Sequence, residues 1–494
     1  MLSLRGLGLG CCLLVACSDR RNEALPVAQP LAQEATRRLA ALHTERERWS
    51  RERRERQLDA VDPGELIEHA HRVAQGMIDD GRADLDAVFL QGETIFERRF
   101  TEAEGMGVGP AAMRPGLSRV QRFAQGPDAL SCVECHHRGG DDGAGELHHR
   151  AWLGGDGVHL SSADPRIAPQ LAGLGPIQAL AAEMSADLLA VRAQMERDPG
   201  LSRRFELTSK GVSFGALVLT ADGGIDTSEV RGVDADLVVK PFGWKGSHAT
   251  LRSFARSALP QHMAMEPFPF AREVDAGSFA EVAQKPWLRD GDGDGVPAEI
   301  TEGQLTSISV YLALLDSPQL RPPQLANTRA AWARGREVFG KLGCESCHKP
   351  ALQLQNTKWT ERAEEADGGL TIDLLTDVQV QPALEQLDYG RPFEVPLFSD
   401  LKRHDLGAAL ATPAIDGGVA PTYFVTRPLW GIGTRGNAYL HDGRARTLDD
   451  AIVAHGGEAQ GAADAFRNST AEDRAAVRVF LLSLRRQPMA RLTP

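Results

Sequence analysis

The chain is poor in tyrosine, with four in 494 residues, and has no stretch of alternating aromatic residues. That argues against a large all-β fold. It also has no excess of basic residues: the formal charge is −12, which speaks against a nucleic-acid partner and for a solvated acidic surface. The apolar run at residues 6–16 is too short to cross a bilayer as a mature helix. With Arg5 before it and Leu14-Val15-Ala16-Cys17 at its end, it reads as an export signal closing on a lipobox. Cleavage before Cys17 and acylation of its thiol would give a lipid-anchored protein of the cell envelope, on the periplasmic face. A plain signal peptide with incidental cysteines is the alternative.

Cysteine is scarce too, and its placement is informative. Of seven, Cys11 and Cys12 leave with the signal and Cys17 is the lipid site. The four that remain form two C-x-x-C-H motifs, Cys132-Val133-Glu134-Cys135-His136 and Cys344-Glu345-Ser346-Cys347-His348. None is left for a disulfide, although an exported protein can use disulfides freely. Two thiols three residues apart can both reach the vinyl groups on one porphyrin edge, and the next residue then offers an imidazole to the iron. A zinc half-site, a redox C-x-x-C or a structural disulfide would use the cysteines but leave the histidine unexplained. The motifs therefore predict two haem c groups.

Around residue 441 the chain runs LWGIGTRGNAYLHDGRARTLDDAIVAHGGEA. A helix is expected to open at Thr447, with Asp450 completing a capping box, and to close at Gly456-Gly457. His455 is then displayed at a helix C-terminus, and His348 and His455 are expected to be the two axial ligands of one iron. For the first motif the sixth position is open. His148, His149 and His159 follow a glycine-rich loop and can reach back to it, or they can be exposed or propionate-bonded histidines.

The order along the chain suggests four parts: a signal at residues 1–17, a charged tether or helix at 18–60, an N-terminal cytochrome c-like domain at 61–325 and a C-terminal one at 326–494. The tether interleaves Glu and Arg, as in a solvated spacer or a patch against anionic lipid. His69 and His71 are read as surface or packing residues. Residues 177–195 read as a helix and 211–220 as a strand, while 250–259 read as a helix that Pro260 stops, leaving His262 beyond its end. Trp244 either fills core volume or stacks near a cofactor. Asp290, Asp292 and Asp294 alternate with glycines, an arrangement that wraps oxygen ligands around calcium or makes a polar turn. Position twelve of that loop is Thr301, with Glu299 and Glu302 nearby. Residues 317–327 read as a linker and 351–400 as an insertion over the second haem domain. A helix at 470–484 is expected to pack on the helix before Cys344.

Taken together, the two C-x-x-C-H motifs, FGWKG, DGDGDGVPAEIT, LFSDLKRHDLG and the block from Arg427 to Ala459 resemble the dihaem c-type oxidoreductases, also called thiol oxidoreductases or peroxidases. More distantly the chain is similar to bacterial dihaem cytochrome c peroxidases. The resemblance implies an all-α fold of two cytochrome c-like domains with small β additions. It implies that the position of His455 ligates the second haem, where methionine is usual, and a bis-histidine iron would have a lower potential. It matches His441 to a histidine that organises the haem surroundings and Trp244 to the tryptophan between the haems. The glutamine and glutamate that peroxidases carry further on are replaced by Phe254 and Ala264, leaving His262 and Glu266 as candidate acid and base. The implied activity is peroxidase-like, with the second haem as relay and the first as peroxide site. A membrane-anchored electron-transfer cytochrome without its own substrate is the alternative, and oxidation of a partner thiol a third. The implied partner is a small redox donor protein or a quinol-linked cytochrome.

Overall fold

Helices are the commonest regular elements among the described residues, and Asp84, Thr250, Thr301, Thr447 and Thr470 each start one by accepting from a first free N–H group. The computed structural model describes residues 73–101, 104, 128–137, 143–145, 150–153, 160–197, 204–263, 265, 267, 299–315, 317–318, 322–361, 369–374, 393–412, 418–436 and 438–485. All of these belong to one unit, Ile67–Arg491. The expected signal and tether, with His69 and His71, lie outside the described residues.

In chain order come α1 (Gln75–Asp79), α2 (Leu85–Glu97) and the short α3 (Cys132–Cys135), then a hairpin of β1 (Arg150–Leu153) and β2 (Asp164–Ile167). The long α4 (Leu174–Arg197) leads into a three-stranded antiparallel sheet of β3 (Arg204–Ser209), β4 (Val212–Leu219) and β5 (Ile225–Asp226). Next are α5 (Leu251–Ala258), α6 (Glu302–Ala313) and α7 (Ala326–Lys341). The strands β6 (Leu352–Leu354), β7 (Lys358–Glu361), β8 (Leu370–Asp373) and β9 (Phe393–Val395) pair as β6 with β9 and β7 with β8. β10 (Arg403–Asp405) pairs with β11 (Tyr423–Val425), and α8 (Leu448–Val453), α9 (Gln460–Asn468) and α10 (Ala471–Ser483) follow. The protein is thus helix-rich with five small sheets among the described residues, which is less purely helical than the sequence suggests.

Two apolar cores organise these elements. The first gathers α2, α4, α5 and the almost wholly buried α6. There α2 approaches α6 so closely that a methyl group on Gly92 would meet the Ser307 carbonyl oxygen. The second joins α7, α8, α9 and α10, with Phe339, Phe398, Phe466 and Phe480 at its centre. Its tightest crossing is at Gly335, where a Cβ would stand 2.0 Å from the carbonyl oxygen of Ala476 on α10. The expected packing of the last helix on the one before Cys344 is therefore present.

Two expectations need correction. Residues 351–400 do not simply cover the second core: Leu352, Leu354, Trp359, Ile372, Phe393 and Val395 are buried in the first, beside α4 and α6. The cause is a period-two apolar pattern in β6 and β9, whose inward residues continue the first core's surface. Nor does Pro260 end its helix. Proline cannot donate the usual helical hydrogen bond, and α5 instead widens into a π turn, Leu259–Met263, that carries His262.

Candidate functional site

Each C-x-x-C-H motif opens onto its own cavity. The first, of about 180 Å³, is walled by Cys132, Cys135, His136, Trp244, His248 and His262 amid leucine, alanine and phenylalanine side chains. The second, of about 450 Å³, is walled by Cys344, Cys347, His348, His404, His441 and His455, again among apolar neighbours. Trp244 and Arg427 line both.

The local chain explains why the motifs face inward. Ser131 precedes the single turn of α3, and the His136 N–H bonds back to the Cys132 carbonyl at 3.0 Å. Gly145 lies against Cys135 and Ala168 with no room for a Cβ, so the glycine-rich loop wraps the motif at its described end. In the second motif Gly343 adopts a left-handed backbone, φ 83°, which breaks α7 and starts the turn Cys344–Ser346. All four cysteines are free thiols. Burial pushes Cys132 and Cys135 up to about 12 and Cys344 up to about 11, so these thiols stay protonated and unreactive in the bare polypeptide.

Three histidines share one geometry. His136 Nδ1 lies 3.2 Å from the Gly143 carbonyl, His348 Nδ1 3.1 Å from the Phe398 carbonyl, and His455 Nδ1 2.7 Å from the Ala451 carbonyl. A carbonyl accepts only, so Nδ1 carries the hydrogen and Nε2 keeps its lone pair, the arrangement of a metal-ligating histidine with an oriented outer contact. Burial, aided by the charge of nearby His455, pulls His348 down to about 4, and burial lowers His455 as well. Both rings are therefore neutral and able to bind a metal at neutral pH. The capping box read at Thr447 and Asp450 is formed, α8 ends at Val453, and His455 follows its C-cap.

Phe398 and Leu440 both take left-handed backbone, φ 54° and 68°, which residues with a Cβ seldom adopt. The first aims its carbonyl at His348 and the second precedes His441. His441 stacks on Phe424 at 4.7 Å and meets the Trp244 ring edge-on at 6.4 Å. Burial pulls it down to about 4 against the opposing charge of Asp442, so it too is neutral. Ile167, at the end of β2, ties the two rings together: its carbonyl accepts from Trp244 Nε1 at 2.7 Å and its N–H donates to the His441 carbonyl at 2.8 Å. Trp244 is half-buried and lines both cavities. Arg427 and Arg435 lie over its ring at 5.7 and 5.5 Å. Burial brings both guanidiniums down to about 10, with repulsion from Arg435 adding to the effect on Arg427.

Sequence reasoning missed a second group. His404, in the LFSDLKRHDLG segment, has Asp400 at 2.9 Å from Nε2 and Glu458 at 2.7 Å from Nδ1, and Cys347 Sγ 3.8 Å away. With a carboxylate at each ring nitrogen, only the imidazolium can donate to both. Burial opposes the charge, but the bonds to Asp400 and Cys347, with the negative charge on each, outweigh it, and His404 is lifted to about 11. Glu458 lies three residues past His455, so the pair ties the loop after α8 to β10. Because the folded value lies above the unfolded 6.5, this stabilisation is complete below pH 6.5 and is lost as pH rises toward about 11. His404→Ala is expected to cost roughly 2–3 kcal/mol at pH 6, discounted for the exposed Glu458. The gap to the unsubstituted protein should narrow on the alkaline side, as denaturant titrations at several pH values would record.

Of the other expected site residues, His262 is on the first cavity's wall. Glu266, His148, His149 and His159 lie outside the described residues, as do Asp290, Asp292 and Asp294. Near that loop, Thr301 caps α6 and Glu302 pairs with Arg252 at 3.3 Å, so both have structural employment and nothing supports calcium there. No described helix is long and apolar enough to cross a membrane.

Paired thiol motifs in apolar cavities, each with a histidine whose Nδ1 is turned to a backbone carbonyl, define a class of haem-binding redox proteins. Residues 225–484 match the family model described as "Di-haem oxidoreductase, putative peroxidase", and the chain belongs to that family. No curated protein matches it. A chain of hydrazine synthase from Kuenenia stuttgartiensis is 18% identical over 37% of this chain and 55% of that one, with a TM-score of 0.22. The match spans little more than half of that neighbour and carries no argument.

Haem, which the family implies, fits the residues present. The walls are apolar, the thiols are free, and the cavities hold buried cationic groups with hydrogens to spare. Arg435 Nε and Nη2, beside the second cavity, and Arg166 Nε and Nη2, beside the first, are buried without a hydrogen-bond partner. An unanswered guanidinium N–H in an apolar wall is costly, and a carboxylate such as a haem propionate would answer it.

Proposed function

We propose that this chain is a dihaem c-type oxidoreductase with peroxidase-like activity, one haem being attached at Cys132 and Cys135 and the other at Cys344 and Cys347. The observation that carries the reading is the asymmetry of the two cavities on either side of Trp244. The second has His348 and His455 with matching free Nε2 atoms, a pair suited to hold an iron on both sides and exclude substrate. Among the described residues of the first, His136 turns its Nδ1 to a backbone carbonyl, whereas His262 turns its Nδ1 to a carboxylate, the arrangement of a proton carrier. Haem supplies one-electron redox chemistry and, where one face of its iron is open, a binding place for peroxide.

The protein's own residues divide the remaining work. Apolar walls limit water in both cavities, and Arg166, Arg427 and Arg435 hold negative charge near them. Trp244 offers an aromatic bridge between them, kept in place by Ile167 and His441. His262 moves protons in the first cavity, a role Glu266 would share. One hydrogen peroxide, two protons and two electrons give two waters, the electrons coming singly from a small donor protein or a quinol-linked cytochrome. The two cytochrome c-like domains are assigned to residues 61–325 and 326–494, with the lipobox at Cys17 tethering them at the periplasmic face.

A second reading, an electron-transfer cytochrome without a substrate, draws on His248 and His262, either of which could close the first iron's sixth position. One experiment separates the two. The enzyme should give one high-spin and one low-spin ferric signal in the haem-loaded protein, with donor-dependent peroxide turnover. Two low-spin signals and no turnover would establish the relay.

A further inference from the structure

Behind His262 stands a carboxylate that the motifs did not point to. Asp128 has a side chain only 5% exposed, and its Oδ2 lies 2.9 Å from His262 Nδ1. The same oxygen accepts from the Trp152 N–H of β1 at 3.2 Å. The main chains are clasped in the other direction, since the N–H groups of Asp128 and Ala129 both donate to the His262 carbonyl, at 3.0 and 3.4 Å. Residues 134 apart in sequence are thus joined at side chain and backbone together. His262 is carried on the π turn that replaces the end of α5, a kind of irregularity that recurs at functional sites. It shares the cavity wall with Cys132, Cys135 and His136, while Asp128 stands outside that wall.

The chemistry of this pair is directional. An ionised carboxylate only accepts, so Nδ1 of a neutral His262 must carry the hydrogen, and the lone pair is placed on Nε2, at the ring edge away from Asp128. We propose that Asp128 is the positioning residue of the first cavity: it fixes the tautomer and direction of His262, so that Nε2 takes a proton from a weak acid entering there and returns it. With hydrogen peroxide, the proton passes from one oxygen to Nε2 and then to the departing oxygen, and the pair ends each cycle with the protons it began with. Proton transfer by a well-placed group is worth two or more orders of magnitude in rate. The inference rests on the reading of the first cavity as an open peroxide site. Among the described residues, the other ionisable groups on that wall, besides the thiols of Cys132 and Cys135, are His136, His248, Arg166 and Arg427; of these His248 is the rival proton carrier.

Hydrogen cyanide tests the pair without turnover, because it enters as a neutral acid and must give up its proton to bind iron as the anion. The measurement is the association rate of cyanide with the first haem in the haem-loaded protein, followed by its absorption change. His262→Ala is expected to slow association about 100-fold and Asp128→Asn about tenfold. In the His262→Ala background Asp128→Asn should change nothing further, since groups acting as a unit are not additive. Asp128→Glu should recover part of the rate. Equal slowing by Asp128→Asn in both backgrounds overturns the proposal, as does slowing by His248→Ala with none by His262→Ala. If Asp128→Asn does not fold, an unchanged rate in His262→Ala still overturns it. A wild-type protein that refuses cyanide, with both haems low-spin, defeats the open-site reading and the pair with it. Cyanide binding insensitive to both variants defeats the pair alone.

Discussion

Replacing His455 by alanine is expected to turn the haem at Cys344 and Cys347 from low-spin to high-spin, with the other haem unchanged. The Thr447–Asp450 capping box fixes where α8 starts and so where its sixth residue, Val453, lies. Two residues on, the half-buried ring of His455 has its Nδ1 committed to the Ala451 carbonyl. On the proposed ligation, deleting the imidazole leaves His348 as the one protein ligand expected on this iron. Water is a weaker-field ligand, so the spin state should change completely and external imidazole should reverse it. Electron paramagnetic resonance would record both haems at once. A spectrum that stays low-spin would mean that another wall residue, His404 or His441, holds the iron.

The second large effect is on folding. Gly335→Ala adds one methyl group where α7 crosses α10, 2.0 Å from the Ala476 carbonyl oxygen and 2.5 Å from its carbon. These are backbone atoms of a helix and cannot rotate away, so the helices must separate and the packing of Phe339 and Phe480 must loosen. A loss of about 3 kcal/mol is expected, near the upper end of overpacking effects. Gly76→Ala is the control, because nothing lies within 4 Å of its added methyl group, and alanine in a helix should be neutral or better. Denaturant midpoints of the two variants should therefore move in opposite directions or differ sharply in size. Equal midpoints would mean that the crossing relaxes at little cost.

How much of this was legible beforehand depends on whether the signal was local. The thiol motifs, the capping box before His455 and the last helix were readable because spacing along a few residues dictates them. The role of Trp244 was open on composition, and the resemblance rather than periodicity pointed to a place between cofactors; in space the residue lines both cavities. His404 and Asp128 were passed over because their partners are distant in sequence: Glu458 lies 54 residues from His404, and His262 lies 134 from Asp128. A lone histidine or aspartate carries no mark of a partner that only the fold supplies. The strands β6 to β9 were misplaced for a related reason. Their alternation shows that one face is buried but not which core buries it.

That misplacement has a mechanical meaning. After Cys347 the chain returns to the first core, burying Leu352, Trp359 and Val395 there, before it comes back to supply His441 and His455 to the second. The two halves are laced together rather than joined at one hinge. Lacing of this kind resists rocking of one half against the other, so the spacing of the two cavities is set by rigid construction and not by the timing of a domain swing.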